Sequence, residues 1–209
     1  MLETSKPSAK GRVPALVVVA LVGMAILAGL TVHRLRSLRL GSSNAIVTPA
    51  KPLAWPVLEL EPLTGEAKPL SQADLSGKVT LLNFWGTWCP PCRQEFPYMV
   101  AIGKQFGQRS DFQILLVSVG MAGPEQEQDL RSETTAFLAS NNTPITTYCD
   151  PHGRTRRALD ESIGLQGYPT TVVLDRQGII RGYMVGFLPG HEVEVQRLVE
   201  TLLAEKPAG

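Results

Sequence analysis

Two cysteines that enclose two prolines, in the stretch Cys89–Cys92 ("CPPC"), are the residues of this chain best suited to chemistry. The apolar run Val79–Trp85 before them is typical of a strand buried on both faces, and residues 90–106 after them are predicted to be helical. Prolines are tolerated in a first helical turn because the N–H groups there have no helical partner. The pattern therefore predicts that Cys89 begins a helix and that Cys92 lies one turn further in.

That position predicts a reactive thiol. Unpaired N–H groups and the helix dipole favour an anion, so we expect the pKa of the Cys89 thiol to fall below its free value of ~8.5. The thiolate is the attacking form in disulfide exchange. Cys89 would then attack a substrate disulfide, and Cys92, predicted to be the more buried partner, would resolve the mixed disulfide. Because prolines lack an N–H group, the amide of Cys92 is the expected donor to the Cys89 sulfur.

Other roles for the cysteines stay open at this point. An inert structural disulfide is disfavoured because the loop is tiny and a helix N-terminus activates a thiol. Cys89 and Cys92 together with Cys149 and His152 supply a zinc ligand set, so a metal-binding or delivery module is one alternative. A thiol peroxidase is another, although no P-x-x-x-T-x-x-C arrangement surrounds a cysteine. Cys149 alone is most often a buried apolar residue, with a third redox role as its alternative.

The rest of the domain alternates strands with helices. An edge hairpin is expected to turn at Thr64-Gly65, and a final hairpin turns at Asp175–Gly178. This alternation predicts an α/β fold with a mixed sheet. Beyond Val79–Trp85 and residues 90–106, we predict strands at 112–119, 145–149, 170–174 and 179–185 and helices at 124–140, 154–163 and 189–205.

Two segments resemble a known family. The segment "FWGTWCPPCRQEFPYM" (84–99) resembles the active site of thioredoxin-like proteins, most closely the membrane-anchored ResA/TlpA group of thiol-disulfide oxidoreductases. The segment "GYPTTVVLD" (167–175) resembles that family's second signature, a loop with a cis-proline facing the cysteines. The resemblance covers residues 55–205 and implies a thioredoxin-like mixed sheet flanked by helices, with no bound cofactor and no metal.

The resemblance also implies roles for single residues. Cys89 corresponds to the nucleophile, Cys92 to the resolving thiol and Glu95 to an acidic residue that assists proton transfer. Thioredoxins of the cytosol carry a buried aspartate where this chain has Asn83, so Glu95 is the available carboxylate; its alternative is a solvated helix residue. The predicted substrate-binding residues are Trp88, Pro90, Tyr168 and Pro169, with Pro169 as the cis-proline and the backbone of Tyr168 pairing with an extended substrate.

The N-terminal region predicts a membrane anchor. Residues 13–32 carry no charge, and a helix of that length spans ~30 Å, the thickness of a bilayer core. A cleaved signal peptide is the alternative, but its apolar region is normally ~7–15 residues and an A-x-A-like site follows. We predict a tail at 1–12, an anchor at 13–32, a linker at 33–54 and the thioredoxin-like domain at 55–205.

Orientation and partners come from the resemblance. Lys and Arg number three on each flank of the anchor, so the positive-inside rule favours neither side. The family implies a domain on the extracytoplasmic side of the cell membrane, client proteins with disulfides such as apocytochrome c, and a membrane electron donor. The net charge of +1 gives no support for nucleic-acid binding.

Overall fold

A computed structural model of the chain describes residues 23–24, 46–121, 127–164 and 166–206. Apart from Gly23 and Met24, the predicted anchor at 13–32 lies outside these residues, as do the tail and most of the linker. Within the described ranges, no helix has the length and apolar character needed to cross a membrane.

In the described part of the chain, seven strands form one mixed sheet in the order β2-β1-β5-β4-β3-β6-β7. The strand β4 pairs in parallel with β3 and β5, and the other neighbouring pairs are antiparallel. The mixed sheet predicted from the sequence is therefore confirmed. The strands are β1 Glu59–Thr64, β2 Leu70–Ser71, β3 Val79–Trp85, β4 Phe112–Ser118, β5 Thr147–Cys149, β6 Thr170–Leu174 and β7 Ile180–Val185.

Helices cover both faces of this sheet. On one face, α1, α2 and α4 pack over a core that contains Leu81, Trp85 and Leu116. On the other face, Leu82 and Phe84 belong to a second core that α3 helps to cover. The helices are α1 Pro90–Phe106, α2 Glu127–Ser140, α3 Arg154–Ile163 and α4 His191–Ala204, with a 3-10 turn at Gln72–Leu75.

The strand β3 lies inside the sheet and leads into α1. All seven of its residues are buried, as an apolar run covered on both faces requires. The helix begins directly after Cys89, with prolines in its first two positions. The predicted bounds of β3 and α1 are both confirmed, so the sequence places the cysteines correctly at a strand-to-helix junction.

Residues 46–54, the described end of the predicted linker, run along the edge of β7. Val47 pairs antiparallel with Tyr183, and Ala54 pairs with Ile179. We call this segment the edge strap. It covers backbone groups of β7 that would otherwise be open to pairing with another strand.

Candidate active site

The two cysteines lie at the N-terminus of α1 and form a disulfide, with Cα atoms 5.2 Å apart. The N–H group of Cys92 donates to the Cys89 sulfur over 3.3 Å, which confirms the predicted donor. Cys89 is 4% exposed and Cys92 1% exposed, so Cys92 is the more buried of the two, as predicted. The first sulfur therefore occupies the helix cap, where backbone N–H groups favour a negative charge.

The loop before β6 faces this pair. The peptide bond between Tyr168 and Pro169 is cis, as the resemblance implied. Thr170 pairs with Phe84 of β3, which brings the start of β6 beside the end of β3. As a result, the carbonyl oxygen of Tyr168 lies 3.6 Å from the Cys89 sulfur. The two segments singled out by their sequences thus meet where β3 ends and β6 begins.

Trp88 forms a wall of the site. Its indole N–H donates to the Val119 carbonyl oxygen over 2.9 Å, and its ring stands edge-on to Tyr168 with centroids 5.9 Å apart. The indole passes directly over Gly86, where an added Cβ would lie 2.5 Å from Trp88 Nε1. Pro90, next to Cys89, is exposed at the first position of α1. Gly86 is a positioning residue that the sequence analysis missed, although a glycine between two tryptophans is a visible signal.

Glu95 is buried beneath the site and hydrogen-bonded twice. It is 1% exposed, so the alternative of a solvated helix residue is wrong. The Asn83 side-chain amide donates to Glu95 Oε2 over 2.7 Å, and the Thr171 hydroxyl donates to Glu95 Oε1 over 2.8 Å. The Asn83 amide also donates to the Thr171 hydroxyl oxygen over 2.9 Å, which closes the network. We call these three side chains the carboxylate network.

Burial changes the acidity of Glu95. Loss of hydration raises the pKa of its carboxyl from an ordinary 4.5 to about 7, because the charged form is disfavoured away from water. Hydrogen bonds from Thr171 and Asn83 favour the carboxylate and oppose part of that rise in pKa. A group with a pKa near neutral pH can both take up and release a proton during turnover.

The sequence pointed to Asn83 only as a departure from a family pattern, and it gave no reason to single out Thr171. Asn83 is the one amide in the apolar run of β3, and its buried position explains why it needs a hydrogen-bond partner. Thr171 lies opposite Asn83 in the β3–β6 register. That pairing depends on strand order, which single-sequence patterns do not give.

The metal ligand set considered from the sequence does not come together. Cys149 ends β5, where its sulfur lies 3.7 Å from the Glu61 carbonyl oxygen, while the sulfurs of Cys89 and Cys92 are bonded to each other. Across the described ranges, no group of three histidine, cysteine, aspartate or glutamate side chains is arranged to hold a metal ion.

Comparison with known proteins gives consistent matches. A family model described as the AhpC/TSA family matches residues 54–183. The chain is 32% identical over 139 residues to thioredoxin-like protein YneN of Bacillus subtilis (strain 168), across 66% of this chain and 74% of that protein. It is 33% identical over 131 residues to thiol-disulfide oxidoreductase ResA of the same organism, across 63% and 65%.

Solved structures agree with these matches. A thiol:disulfide interchange protein of the thioredoxin family from Chlorobium tepidum TLS is similar with a TM-score of 0.59 and 29% identity, across 75% of this chain and 99% of that one. Fold, disulfide and relatives point the same way, so the chain is a thiol-disulfide oxidoreductase of thioredoxin-like fold, as the resemblance to ResA implied. Within that class, it belongs to the AhpC/TSA family.

Proposed function

We propose that this protein is a membrane-anchored, extracytoplasmic reductase of disulfides in client proteins such as apocytochrome c. The observation that carries this proposal is the Cys89 sulfur at the N-terminus of α1, 3.6 Å from the Tyr168 carbonyl oxygen of the cis-proline loop. A client segment laid along that loop would bring its own sulfur beside Cys89. The anchor at 13–32 and the extracytoplasmic placement rest on the apolar run and on the family resemblance.

In the reduced protein, the Cys89 thiolate attacks one sulfur of the client disulfide. A new bond forms between Cys89 and the client, the client disulfide breaks, and the departing client sulfur takes a proton. The Cys92 thiol then loses its proton and attacks the Cys89 sulfur. This second attack releases the other client thiol and leaves the Cys89–Cys92 disulfide seen in the structure. Two electrons pass from the cysteine pair to the client.

Glu95 is the proposed acceptor for the Cys92 proton. It follows Cys92 by three residues on α1, which directs both side chains to the same side of the helix. Its pKa, raised to about 7 by burial, suits a base that must act near neutral pH and release the proton afterwards. Asn83 and Thr171 hold the carboxylate in place for this role.

The relatives and the chemistry of the cycle support the proposed client and donor. Relatives named thiol-disulfide oxidoreductase ResA and thiol:disulfide interchange protein DsbE support thiol-disulfide exchange as the reaction. Each turnover leaves the cysteine pair oxidised, so a donor must return two electrons to it, and we propose a dithiol protein of the membrane for this role. Apocytochrome c, whose haem-attachment cysteines must be reduced, is the client that the resemblance favours.

The test uses a peptide with an oxidised C-x-x-C-H segment as substrate and hydrogen peroxide as the alternative oxidant. We expect the reduced protein to reduce the peptide. Cys92→Ala should accumulate a mixed disulfide with the peptide, whereas Cys89→Ala should form none. Equal trapping by both variants would contradict the assigned roles, and faster oxidation by peroxide than by the peptide would favour a peroxidase. Reporter fusions on either side of residues 13–32 test the anchor and its orientation.

A further inference from the structure

Leu188 is held on a loop that is tied to the cis-proline. The N–H group of Gly186 donates to the Pro169 carbonyl oxygen over 2.7 Å. Two residues later, the Leu188 N–H group donates to His191 Nδ1 over 3.2 Å, and the Leu188 carbonyl oxygen accepts from the His191 N–H group over 3.1 Å. Hydrogen bonds to His191 therefore hold both the N–H group and the carbonyl oxygen of Leu188.

The Leu188 side chain is nevertheless open to solvent. It is 63% exposed, and Tyr98 of α1 is 40% exposed. Phe187, the residue before Leu188, is buried in the same core cluster as Cys92, and its ring centroid is 5.6 Å from that of Tyr98. We call Tyr98, Phe187 and Leu188 the apolar rim. Contact with a rim whose backbone is already ordered loses little conformational entropy, which favours its use in binding.

The rim lies within reach of a client bound at the cysteines. Leu188 follows Gly186 by two residues, which limits its Cα to within roughly 11 Å of the Pro169 carbonyl oxygen. An extended client chain rises about 3.3 Å per residue, so three or four residues cover about 10–13 Å. A client cysteine joined to Cys89 would lie near Tyr168, whose carbonyl oxygen is 3.6 Å from the Cys89 sulfur and which directly precedes Pro169.

We propose that Leu188, which follows the Phe187 ring packed on Tyr98, determines specificity for client polypeptides that carry a large apolar side chain three or four residues from the attacked cysteine. This inference rests on the proposed disulfide reduction and adds a sequence preference to it. The occupant is a client chain because the rim continues directly from the cis-proline loop through Gly186. The contact is made outside the reacting atoms, so it changes which clients are reduced and leaves the sulfur chemistry alone.

The test measures kcat/KM for cyclic disulfide peptides in which one leucine is moved from four residues before the attacked cysteine to four residues after it. Wild-type protein should prefer leucine over serine at three or four residues by roughly five- to twentyfold, as expected for partial burial of one leucine side chain. Leu188→Asn should remove that preference. Its rate with the small disulfide 5,5′-dithiobis(2-nitrobenzoate) should equal that of wild type, because this oxidant cannot reach the rim.

Val47→Asn is the matched control, since Val47 is 46% exposed on the edge strap and should leave the leucine preference intact. A leucine preference that persists in Leu188→Asn would overturn the inference. So would an equal loss of rate with the peptides and with the small disulfide. Wild-type protein that reduces no peptide at all would instead contradict the proposed function.

Discussion

The protein contains two kinds of cysteine site, and burial does not distinguish them. Cys92 is 1% exposed within the disulfide, and Cys149, which stands outside it, is 2% exposed. Cys89 and Cys92 lie at the start of α1, where the Cys89 sulfur accepts the Cys92 N–H group. Cys149 ends β5 with its sulfur 3.7 Å from the Glu61 carbonyl oxygen. Both sulfurs lie near a carbonyl oxygen, since the Cys89 sulfur is also 3.6 Å from that of Tyr168. The sites differ in the N–H group that Cys89 accepts at the start of α1, because such a donor favours a thiolate.

The two helix N-termini near these cysteines are used differently. At α1, the cysteine sulfur itself occupies the cap. At α3, the Asp150 carboxylate accepts the Arg156 N–H group over 2.7 Å. The group that accepts this N–H is thus the Asp150 carboxylate, one residue after Cys149 in the chain. The position of an anion at a helix N-terminus, more than depth of burial, separates the reactive pair from the third cysteine.

The largest expected difference is in catalysis. Cys89→Ala should lower the rate of protein-disulfide reduction by about a thousandfold or more, because it removes the nucleophile. Cys149→Ala should keep the rate within roughly twofold of wild type, with a stability loss of about 1 kcal/mol for the missing sulfur. Turnover with a disulfide-containing protein such as insulin measures both. A Cys149→Ala rate as low as that of Cys89→Ala would end the distinction between the two sites.

The next difference is in thiol chemistry. In the reduced protein at pH 6.5, iodoacetamide should modify Cys89 about a hundredfold faster than Cys149, since only the thiolate reacts. Mass spectrometry of timed samples gives the rate at each cysteine. Adding denaturant should bring the Cys149 rate close to that of an ordinary thiol and so serves as the control. Equal modification rates without denaturant would show that the N-terminus of α1 does not activate its sulfur.

The sequence predicts the junction that holds the cysteines better than it predicts their surroundings. The bounds of β3 and α1 follow from local signals: an apolar run, then two adjacent prolines of the kind favoured in a first helical turn. The carboxylate network instead joins residues 12, 76 and 88 positions apart, and strand order creates it. Such contacts have no local signal.

The predicted start of β5 was two residues early for a similar reason. The Thr64 hydroxyl donates to the Ile145 carbonyl oxygen, so a side chain bonds a group that would otherwise pair along the strand. The register of β1 with β5 shifts at the same place, between Pro62 and Thr64, and regular pairing begins at Thr147. Side-chain competition for a backbone group cannot be read from an apolar pattern.

Glu95 of the carboxylate network should make both the stability of the protein and the reaction rate of the cysteine pair depend on pH. The pKa of Glu95 is raised by burial to about 7, so folding favours its protonated form, and stability falls as pH rises from about 4.5 to 7. Glu95→Gln should therefore stabilise the oxidised protein at pH 8 by up to about 3 kcal/mol, with no gain at pH 4. Urea unfolding at both pH values measures this.

The same variant has a kinetic readout. Because a glutamine side chain cannot accept a proton, the rate of disulfide reduction by Glu95→Gln should lose its inflection near pH 7. Glu161→Gln, at an exposed glutamate on α3, is the matched control and should change neither the stability difference nor the rate profile. An unchanged rate profile in Glu95→Gln would leave Glu95 with a structural role only.

The smallest expected effect concerns Asp150, which lies before the N-cap residue Gly153 and accepts a hydrogen bond from the first turn of α3, where charge and hydrogen bonding can be separated. Burial raises the pKa of the Asp150 carboxyl, and hydrogen bonds from backbone N–H groups of α3, that of Arg156 first, oppose that rise together with the charge of the Arg156 side chain. Asp150→Ala should cost about 1–2 kcal/mol of stability, as the loss of a helix cap does. Asp150→Asn keeps an acceptor for the same N–H group and should cost about half as much or less. Urea unfolding of the two variants gives the comparison, and equal losses would mean that the negative charge at α3 matters after all.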